Sequence, residues 1–183
     1  MTKFILLRHG QTDWNIQRLY QGHSDIPLND TGMNQILRAG ELLMDKEIDA
    51  IYSSDLIRAR QTAEAVHHHH PNIPLVVDPR LRERGFGEYE GRSYAKDLMN
   101  PGIRDDMNQN PLTFRFNGGE SIQDVAVRAK KVLDEILKRY PDKTVLIVSH
   151  GSFLTVISVL INNEDLSTRN KYYFPNAEPV YLN

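Results

Sequence analysis

The 183-residue sequence contains no cysteine, which excludes disulfide bonds, thiolate nucleophiles and zinc sites that depend on sulfur ligands. It also lacks an apolar run long enough to cross a membrane. Only four apolar residues separate Lys3 from Arg8, too few for the core of a signal peptide. We therefore expect a cytoplasmic protein with no membrane partner.

An excess of positive charge is missing as well. The 22 lysines and arginines face 24 aspartates and glutamates, which gives a net charge of -2 at pH 7, and the basic residues are scattered along the chain. Nucleic-acid-binding domains carry a clustered basic surface, so no nucleic-acid partner is expected. The expected partner is a small ligand, and the oligomeric state is left open between monomer and homodimer.

What the sequence does contain is an alternation of apolar strands and amphipathic helices. Continuous apolar runs at Phe4–Leu7 and Val145–Val148 are typical of strands covered on both faces. A Ser-x-x-Asp pattern at Ser121 predicts the start of a long helix, which Pro141 ends. The alternation predicts an α/β fold, a three-layer α/β/α sandwich with a mostly parallel central sheet, forming a single domain over residues 1–183.

Three segments receive more specific predictions. Ser54 and Asp55 look like the cap of a helix. Residues 79–120 are rich in Gly, Pro, Asn and Arg and show weak periodicity, so they are interpreted as a long loop that forms a lid or insertion beside a site. The tail, residues 171–182, holds two short candidate strands separated by Pro175.

Polar residues follow three predicted strands at the point where each strand ends. The first strand runs into Arg8 and His9, the second is followed by a helix bearing Arg58, and the strongest runs into His150 and Gly151. Parallel strands place these ends at one edge of the sheet, where α/β proteins bind ligands. Two arginines, two histidines and the amides of helix N-termini predict a phosphate site there.

This arrangement also predicts a reaction. A neutral His9 is a competent nucleophile towards a phosphoryl group whose oxygens are neutralised by arginines and by His150. The leaving alcohol needs a proton, and three glutamates of the lid segment are candidates: Glu83, Glu88 and Glu90. The residues alone leave the choice among them open. The mechanism needs neither a metal ion nor another cofactor.

Ordered motifs extend this pattern along nearly the whole chain: Leu7-Arg8-His9-Gly10, Gln21-Gly22, Thr31-Gly32, Ser53-Ser54-Asp55-Leu56, Leu81-Arg82-Glu83, Gly118-Gly119-Glu120-Ser121 and Val148-Ser149-His150-Gly151. In this order they resemble the histidine phosphatase superfamily, in its phosphoglycerate-mutase-like branch. The resemblance implies a catalytic set drawn from the strand ends and the Leu-x-Glu motif: Arg8, His9, Arg58, Glu83 and His150. It implies phosphate or substrate contacts for a second set: Asn15, Gln21, Gly22 and Gly151.

Members of this family are phosphatases or mutases, and the segment after Glu83 separates them. Mutases carry an insertion there with paired arginines that grip a second acidic group, whereas Arg104 and Arg115 are isolated in this chain. The resemblance therefore implies a metal-independent phosphatase for a small phosphorylated metabolite, acting through a phosphohistidine on His9 with Glu83 as general acid and base. Mutase-type transfer, a phosphoprotein phosphatase and a phosphate-binding regulatory module remain alternatives.

Other residues are left without a role. His67–His70 are interpreted as an exposed tract with incidental metal affinity. Four arginines of the lid segment are candidates for substrate contacts or for solvated surface: Arg84, Arg92, Arg104 and Arg115. Phe114 and Phe116 are candidates for a wall of the site or for the core of the lid. Nothing in the sequence selects the physiological substrate.

Overall fold

The computed structural model describes residues 1–182, which are built around a five-stranded sheet. The strands in chain order are β1 (Lys3–Arg8), β2 (Ala50–Ser53), β3 (Leu75–Val77), β4 (Thr144–Ser149) and β5 (Pro179–Leu182). Their order across the sheet is β3-β2-β4-β1-β5, with β5 antiparallel to β1 and the other pairs parallel. The predicted mostly parallel sheet is confirmed, and Asn183 of the predicted domain lies outside the described residues.

Helices cover both faces of this sheet. They are α1 (Asp13–Ile16), α2 (Asp30–Leu43), α3 (Ile57–His67), α4 (Tyr94–Leu98), α5 (Pro101–Gln109), α6 (Ile122–Arg139) and α7 (Gly151–Ile161) within the described part of the chain. Successive side chains of a strand point to opposite faces. Accordingly Ile5 and Leu7 pack with α2 and α3, whereas Phe4 and Leu6 pack with α6 and α7. The predicted three-layer sandwich is confirmed.

Two predicted helix starts have different outcomes. Ser121 caps α6 by accepting a hydrogen bond from the Asp124 amide, whose carboxylate bonds back to the Ser121 amide, as the Ser-x-x-Asp pattern predicts. The cap predicted at Ser54 and Asp55 is wrong, because α3 begins after Leu56 without a side-chain cap. The Ser54 hydroxyl binds the Leu56 amide and the His150 ring, Asp55 pairs with Arg82, and the first helical amide, of Ile57, donates to the Asp25 carboxylate.

The lid segment and the tail also differ from expectation. Residues 79–120 contain α4, α5 and 3-10 turns at Pro79–Leu81 and Gly87–Tyr89, each too short to produce a readable helical period. In the tail only β5 forms a strand within the described residues. The first predicted tail strand is wrong, since a 3-10 turn covers Leu166–Lys171 and a single bridge joins Asn176 to β1. Among the helices described, none has the length and apolar character needed to span a membrane.

Candidate active site

The three polar strand ends meet at the carboxyl edge of the sheet, as the sequence predicts. Arg8 at the end of β1 is in register with Ser149 of β4, and Ser53 of β2 is in register with Val148 of the same strand. A cavity of about 440 Å³ opens at this edge, and Arg8 lines it. Its floor is formed by residues from both sides of the sheet: Arg8, His9, Asn15, Gln21, Arg58, Glu83 and Asn176.

His9 is buried on this floor in a defined protonation state. Its Nδ1 lies 2.7 Å from the Gly10 carbonyl oxygen, and because a carbonyl only accepts, Nδ1 carries the proton and Nε2 keeps its lone pair. Burial, reinforced by Arg58 and Arg8, holds the pKa of His9 well below its ordinary value. Thr62 accepts a 3.1 Å bond from the Gly10 amide and thereby fixes the loop that orients the ring. His9 therefore has the form that a nucleophile requires.

Arg58 and Arg8 supply positive charge, and each keeps its buried Nε atom without a partner among the described residues. Arg58 is fully buried and donates 2.7 Å and 2.9 Å bonds to the carbonyl oxygens of Ser24 and Gly22, while Arg8 donates to that of Phe174. Desolvation lowers the pKa of Arg58 to about 10, which leaves it protonated at neutral pH.

His150 lies against His9, with ring centroids 5.1 Å apart. Its Nε2 is 2.9 Å from the Ser54 hydroxyl, which itself accepts a bond from the Leu56 amide. Burial, followed by the field of Arg58, holds the pKa of His150 well below its ordinary value. A neutral His150 that accepts from the Ser54 hydroxyl bears its proton on Nδ1, and Nδ1 is buried without a partner among the described residues.

Glu83 is held on the floor of the cavity by the start of α7. Its Oε2 accepts from the Ser152 amide at 3.1 Å, and its Oε1 accepts from the amides of Phe153 and Arg84 at 3.2 Å and 2.8 Å. A side chain at Gly151 would begin 3.7 Å from Oε2, so the glycine leaves this carboxyl group uncovered. These bonds fix the orientation of the carboxyl group in the cavity that His9 also lines.

The residues that the family resemblance set aside lie elsewhere. Glu88 is exposed, and the Glu90 carboxylate is bound by the amides of His23 and Ser24 at 2.9 Å and 2.8 Å. Arg60, a second arginine of α3 that lies two residues after Arg58, is half exposed and pairs with Glu64 one turn further along. The structure therefore brings Glu83, and neither of the other two glutamates, to the floor of the cavity.

The predicted substrate-binding residues divide into two groups. Asn15 and Gln21 line the cavity; the side-chain Oδ1 of Asn15 accepts from the Thr12 amide, and the buried Gln21 Oε1 has no partner among the described residues. Gly22 acts through its carbonyl oxygen, which binds Arg58. Its φ of +50° and the close Glu90 carboxylate explain why the position suits glycine.

Sequence reasoning missed Arg128 of α6, which clamps the backbone around Glu83. Its guanidinium donates to the carbonyl oxygens of Arg80, Arg82 and Glu83 at 2.8, 2.6 and 2.8 Å. It also forms two 2.9 Å bonds to the Glu120 carboxylate. On an amphipathic helix a single arginine looks like a solvated residue, so no sequence signal distinguishes it.

A second missed residue, Asn176, comes from the tail. Its Nδ2 donates to the His9 carbonyl oxygen at 2.8 Å, and the next amide, of Ala177, donates to the Arg8 carbonyl oxygen at 2.9 Å. Asn176 also lines the cavity. An asparagine in an irregular tail gives no hint of this contact, which depends on the tail returning to the end of β1.

The four arginines without an assigned role do not line this cavity. Each binds another group: Arg84 the carbonyl oxygens of Glu120 and Phe114, Arg92 the carboxylate of Asp97, Arg104 that of Asp105, and Arg115 that of Asp124. Phe116 is buried with its ring 4.9 Å from that of Phe114 and 5.1 Å from that of Tyr20, in the core of the lid segment.

The histidine tract lies at the end of α3, where His68 and His69 are exposed. His67 and His70 are half-buried. The Nε2 atom of His67 donates to the Ile73 carbonyl oxygen at 3.0 Å, and that of His70 donates to the Leu43 carbonyl oxygen at 2.9 Å. Within residues 1–182 no group of three or more His, Asp or Glu side chains is placed to hold a metal ion.

Comparisons with known proteins agree with this geometry. The family model described as the histidine phosphatase superfamily (branch 1) matches residues 4–183. The chain is 34% identical to the uncharacterized phosphatase PhoE of Bacillus subtilis over 90% of its own length and 80% of that protein. It is 33% identical to the glucosyl-3-phosphoglycerate phosphatase of Mycobacterium tuberculosis over 87% of its own length and 74% of that protein. A solved mycobacterial glucosyl-3-phosphoglycerate phosphatase in complex with VO3 superposes with a TM-score of 0.89 at 31% identity, covering 99% and 90% of the two chains.

Proposed function

This chain belongs to the histidine phosphatase superfamily (branch 1), and on that basis we propose that it hydrolyses a small phosphomonoester through a phosphohistidine on His9. One observation carries the proposal. Three buried nitrogen atoms around His9 lack a partner among the described residues: Arg8 Nε, Arg58 Nε and His150 Nδ1. Buried donors without acceptors are costly, and a phosphoryl group offers three peripheral oxygens to accept from them.

In the first step His9 Nε2 attacks the phosphorus atom and the bond to the ester oxygen breaks. Arg8, Arg58 and the His150 Nδ1–H hold the peripheral oxygens, whose charge is spread over the transition state. Glu83 donates a proton to the departing alkoxide, so the alcohol leaves neutral. The neutral state of His9, supported by its lowered pKa, provides the lone pair that forms the N–P bond.

In the second step water attacks the phosphohistidine. Glu83, now ionised, takes a proton from the water as the O–P bond forms, and the N–P bond returns its electron pair to His9 Nε2. The products are inorganic phosphate and the enzyme in its starting protonation state. Because the arginines and His150 provide the charge stabilisation, no step is assigned to a metal ion.

Support for this assignment also comes from the residues that hold the catalytic groups. Arg128 binds the backbone of Glu83, Ser54 fixes the His150 ring, and Thr62 fixes the loop of His9. A module that only binds phosphate needs neither a fixed carboxyl group nor a nucleophile with a defined tautomer. Asn15 and Gln21 are assigned to contacts with the phosphoryl group or the neighbouring part of the substrate.

The test is phosphate release from a panel of phosphoesters with a chelator present throughout. The panel contains p-nitrophenyl phosphate, sugar phosphates, phosphoglycerates, nucleotides and a phosphopeptide. We expect chelator-resistant release by the wild type and by His68→Ala, an exposed-histidine control, and none by His9→Ala.

Transfer of the phosphoryl group to a second acceptor instead of water would favour a mutase. Preferred release from the phosphopeptide would favour a phosphoprotein phosphatase. Phosphate binding without turnover of any compound would favour a regulatory module.

A further inference from the structure

The cavity above the phosphate floor has a wall of a different character. Charged side chains lining the cavity within the described residues are Arg8, Arg58 and Glu83, all on the floor. The wall consists of large apolar or aromatic side chains: Trp14, Leu19, Tyr20, Phe86, Tyr94 and Tyr173. A phosphoester whose phosphoryl group binds the floor would place its leaving alcohol against this wall.

Contacts among the wall rings, and a contact of Tyr20 with the buried Phe116 ring at 5.1 Å, keep the wall in place. The Tyr20 ring centroid lies 4.7 Å from that of Phe86 and 5.8 Å from that of Tyr94. Trp14 packs on Gly91, where an added Cβ would come within 3.2 Å of the indole. Desolvation raises the pKa of Tyr20 to about 12, so its hydroxyl stays a neutral hydrogen-bond donor. Tyr173, at 78% exposure, forms the outer rim.

We propose that the substrate is the phosphomonoester of an uncharged, ring-bearing alcohol without a second anionic group, an inference that rests on the proposed phosphatase function. The proposed mechanism assigns both floor arginines to the transferred phosphoryl group, which leaves neither for a second anion. A carboxylate or second phosphate at the wall would face aromatic rings, whose faces are electron-rich, and would lose its hydration without gaining a counter-ion. A ring, in contrast, stacks on the wall, and burial of its apolar surface there favours binding.

A neighbouring cavity is the alternative place where a second anionic group of a substrate could bind. It has a volume of about 370 Å³, shares Arg8, Glu83 and Tyr173 with the first, and adds Arg84 and Arg169. Arg84 is engaged by two carbonyl oxygens at 2.7 Å. Arg169 makes only long bonds, to the carbonyl oxygens of Leu166 at 3.5 Å and Pro111 at 3.4 Å. A second anionic group could therefore find a cation only by extending past Tyr173 to Arg169.

Matched pairs of substrates test the inference. Phenyl phosphate is compared with 4-carboxyphenyl phosphate, in which a carboxylate replaces a ring hydrogen, and glycerol 3-phosphate with 3-phosphoglycerate, in which a carboxylate replaces a hydroxymethyl group. We expect kcat/KM to fall by about tenfold or more on adding the carboxylate in either pair. Phenyl phosphate should also show a lower KM than glycerol 3-phosphate, because its ring stacks on the wall, whereas its better leaving group acts on kcat.

Variants of Tyr173, at the rim of the cavity, test whether the wall binds the ring of the substrate. Tyr173→Ala should raise KM for phenyl phosphate about three- to tenfold, Tyr173→Phe should restore it, and neither should change inhibition by inorganic phosphate, which occupies only the floor. Tyr181→Ala, an exposed tyrosine of β5 outside this cavity, is the matched control.

Equal or better turnover of the carboxylated compounds overturns the inference while leaving the phosphatase function intact. If Arg169→Ala then removes that preference, the neighbouring cavity is the subsite for the second anion. Absence of turnover on all four compounds and on p-nitrophenyl phosphate, with phosphate still bound, refutes the proposed function, and the inference with it.

Discussion

The burial of His9 and His150 in the neutral state makes the stability of the fold depend on pH in a predictable way. Both pKa values lie well below the ordinary value of 6.5, chiefly because burial penalises the charged rings. The unfolded chain binds protons at these rings below about pH 6.5, and the folded chain does not. Since the unfolded state then binds more protons, the free energy of unfolding decreases as pH falls through this range.

The size of the effect follows from the linkage relation. Between pH 7.5 and 5.5 a histidine that titrates only when unfolded removes about 1.4 kcal/mol, and two remove about 2.7 kcal/mol. That is a measurable part of a total stability of about 5–15 kcal/mol. Carboxylates that titrate in the same range contribute equally to the wild type and to histidine variants, so they cancel in a comparison.

Urea denaturation at the two pH values measures this loss. His9→Gln should show a pH-dependent loss smaller than that of the wild type by about 1.4 kcal/mol. His150→Gln should do the same, and the exposed His68→Gln controls for losing a histidine as such. An identical pH-dependent loss in the wild type and in both buried variants would refute the neutral, buried state of these rings.

Three further predictions follow from the same geometry. Glu83→Gln should lower kcat about 10²- to 10⁴-fold with little change in KM, because proton transfer and not binding is lost; an equal rate would exclude Glu83, and Glu88→Gln is the control. Inorganic phosphate should stabilise the fold by about 2.7 kcal/mol at one hundred times its dissociation constant, an effect that Arg58→Ala should largely abolish in thermal melts. Arg128→Lys should lower kcat and shift the pH–rate profile, because Lys cannot bind three carbonyl oxygens and Glu120 together and Glu83 then loses its fixed position. An unchanged pH–rate profile would assign Arg128 to the stability of the fold alone.

Much of the site's floor could be predicted because it lies where strong local patterns end. The apolar runs of β1 and β4 stop at Arg8 and Ser149, and parallel pairing brings those points together. Glu83 could not be selected from local pattern, since Glu88 and Glu90 lie in the same segment, and only the family resemblance separated them. The contacts of Glu83 with the start of α7 give a physical reason for that choice.

Other features required the folded chain. Ser54 matched the composition of a helix cap, but the buried His150 ring competes for its hydroxyl. The aromatic wall collects side chains from α1, the loop after it, the lid segment and the tail, and no short sequence pattern links such distant positions. Asn176 and Arg128 likewise act through contacts with distant backbone.

The central claim is that the phosphoryl group passes through His9, and trapping it tests this most directly. The enzyme is mixed with a phosphoester that it hydrolyses, and the reaction is quenched in alkali within a single turnover, because phosphohistidine is labile in acid. The protein is then digested for mass spectrometry. We predict phosphate on the peptide containing His9, none in His9→Ala, and disappearance of the modification at the rate of phosphate release. Rapid phosphate release with His9 unmodified, or with the label on another residue, would contradict the account.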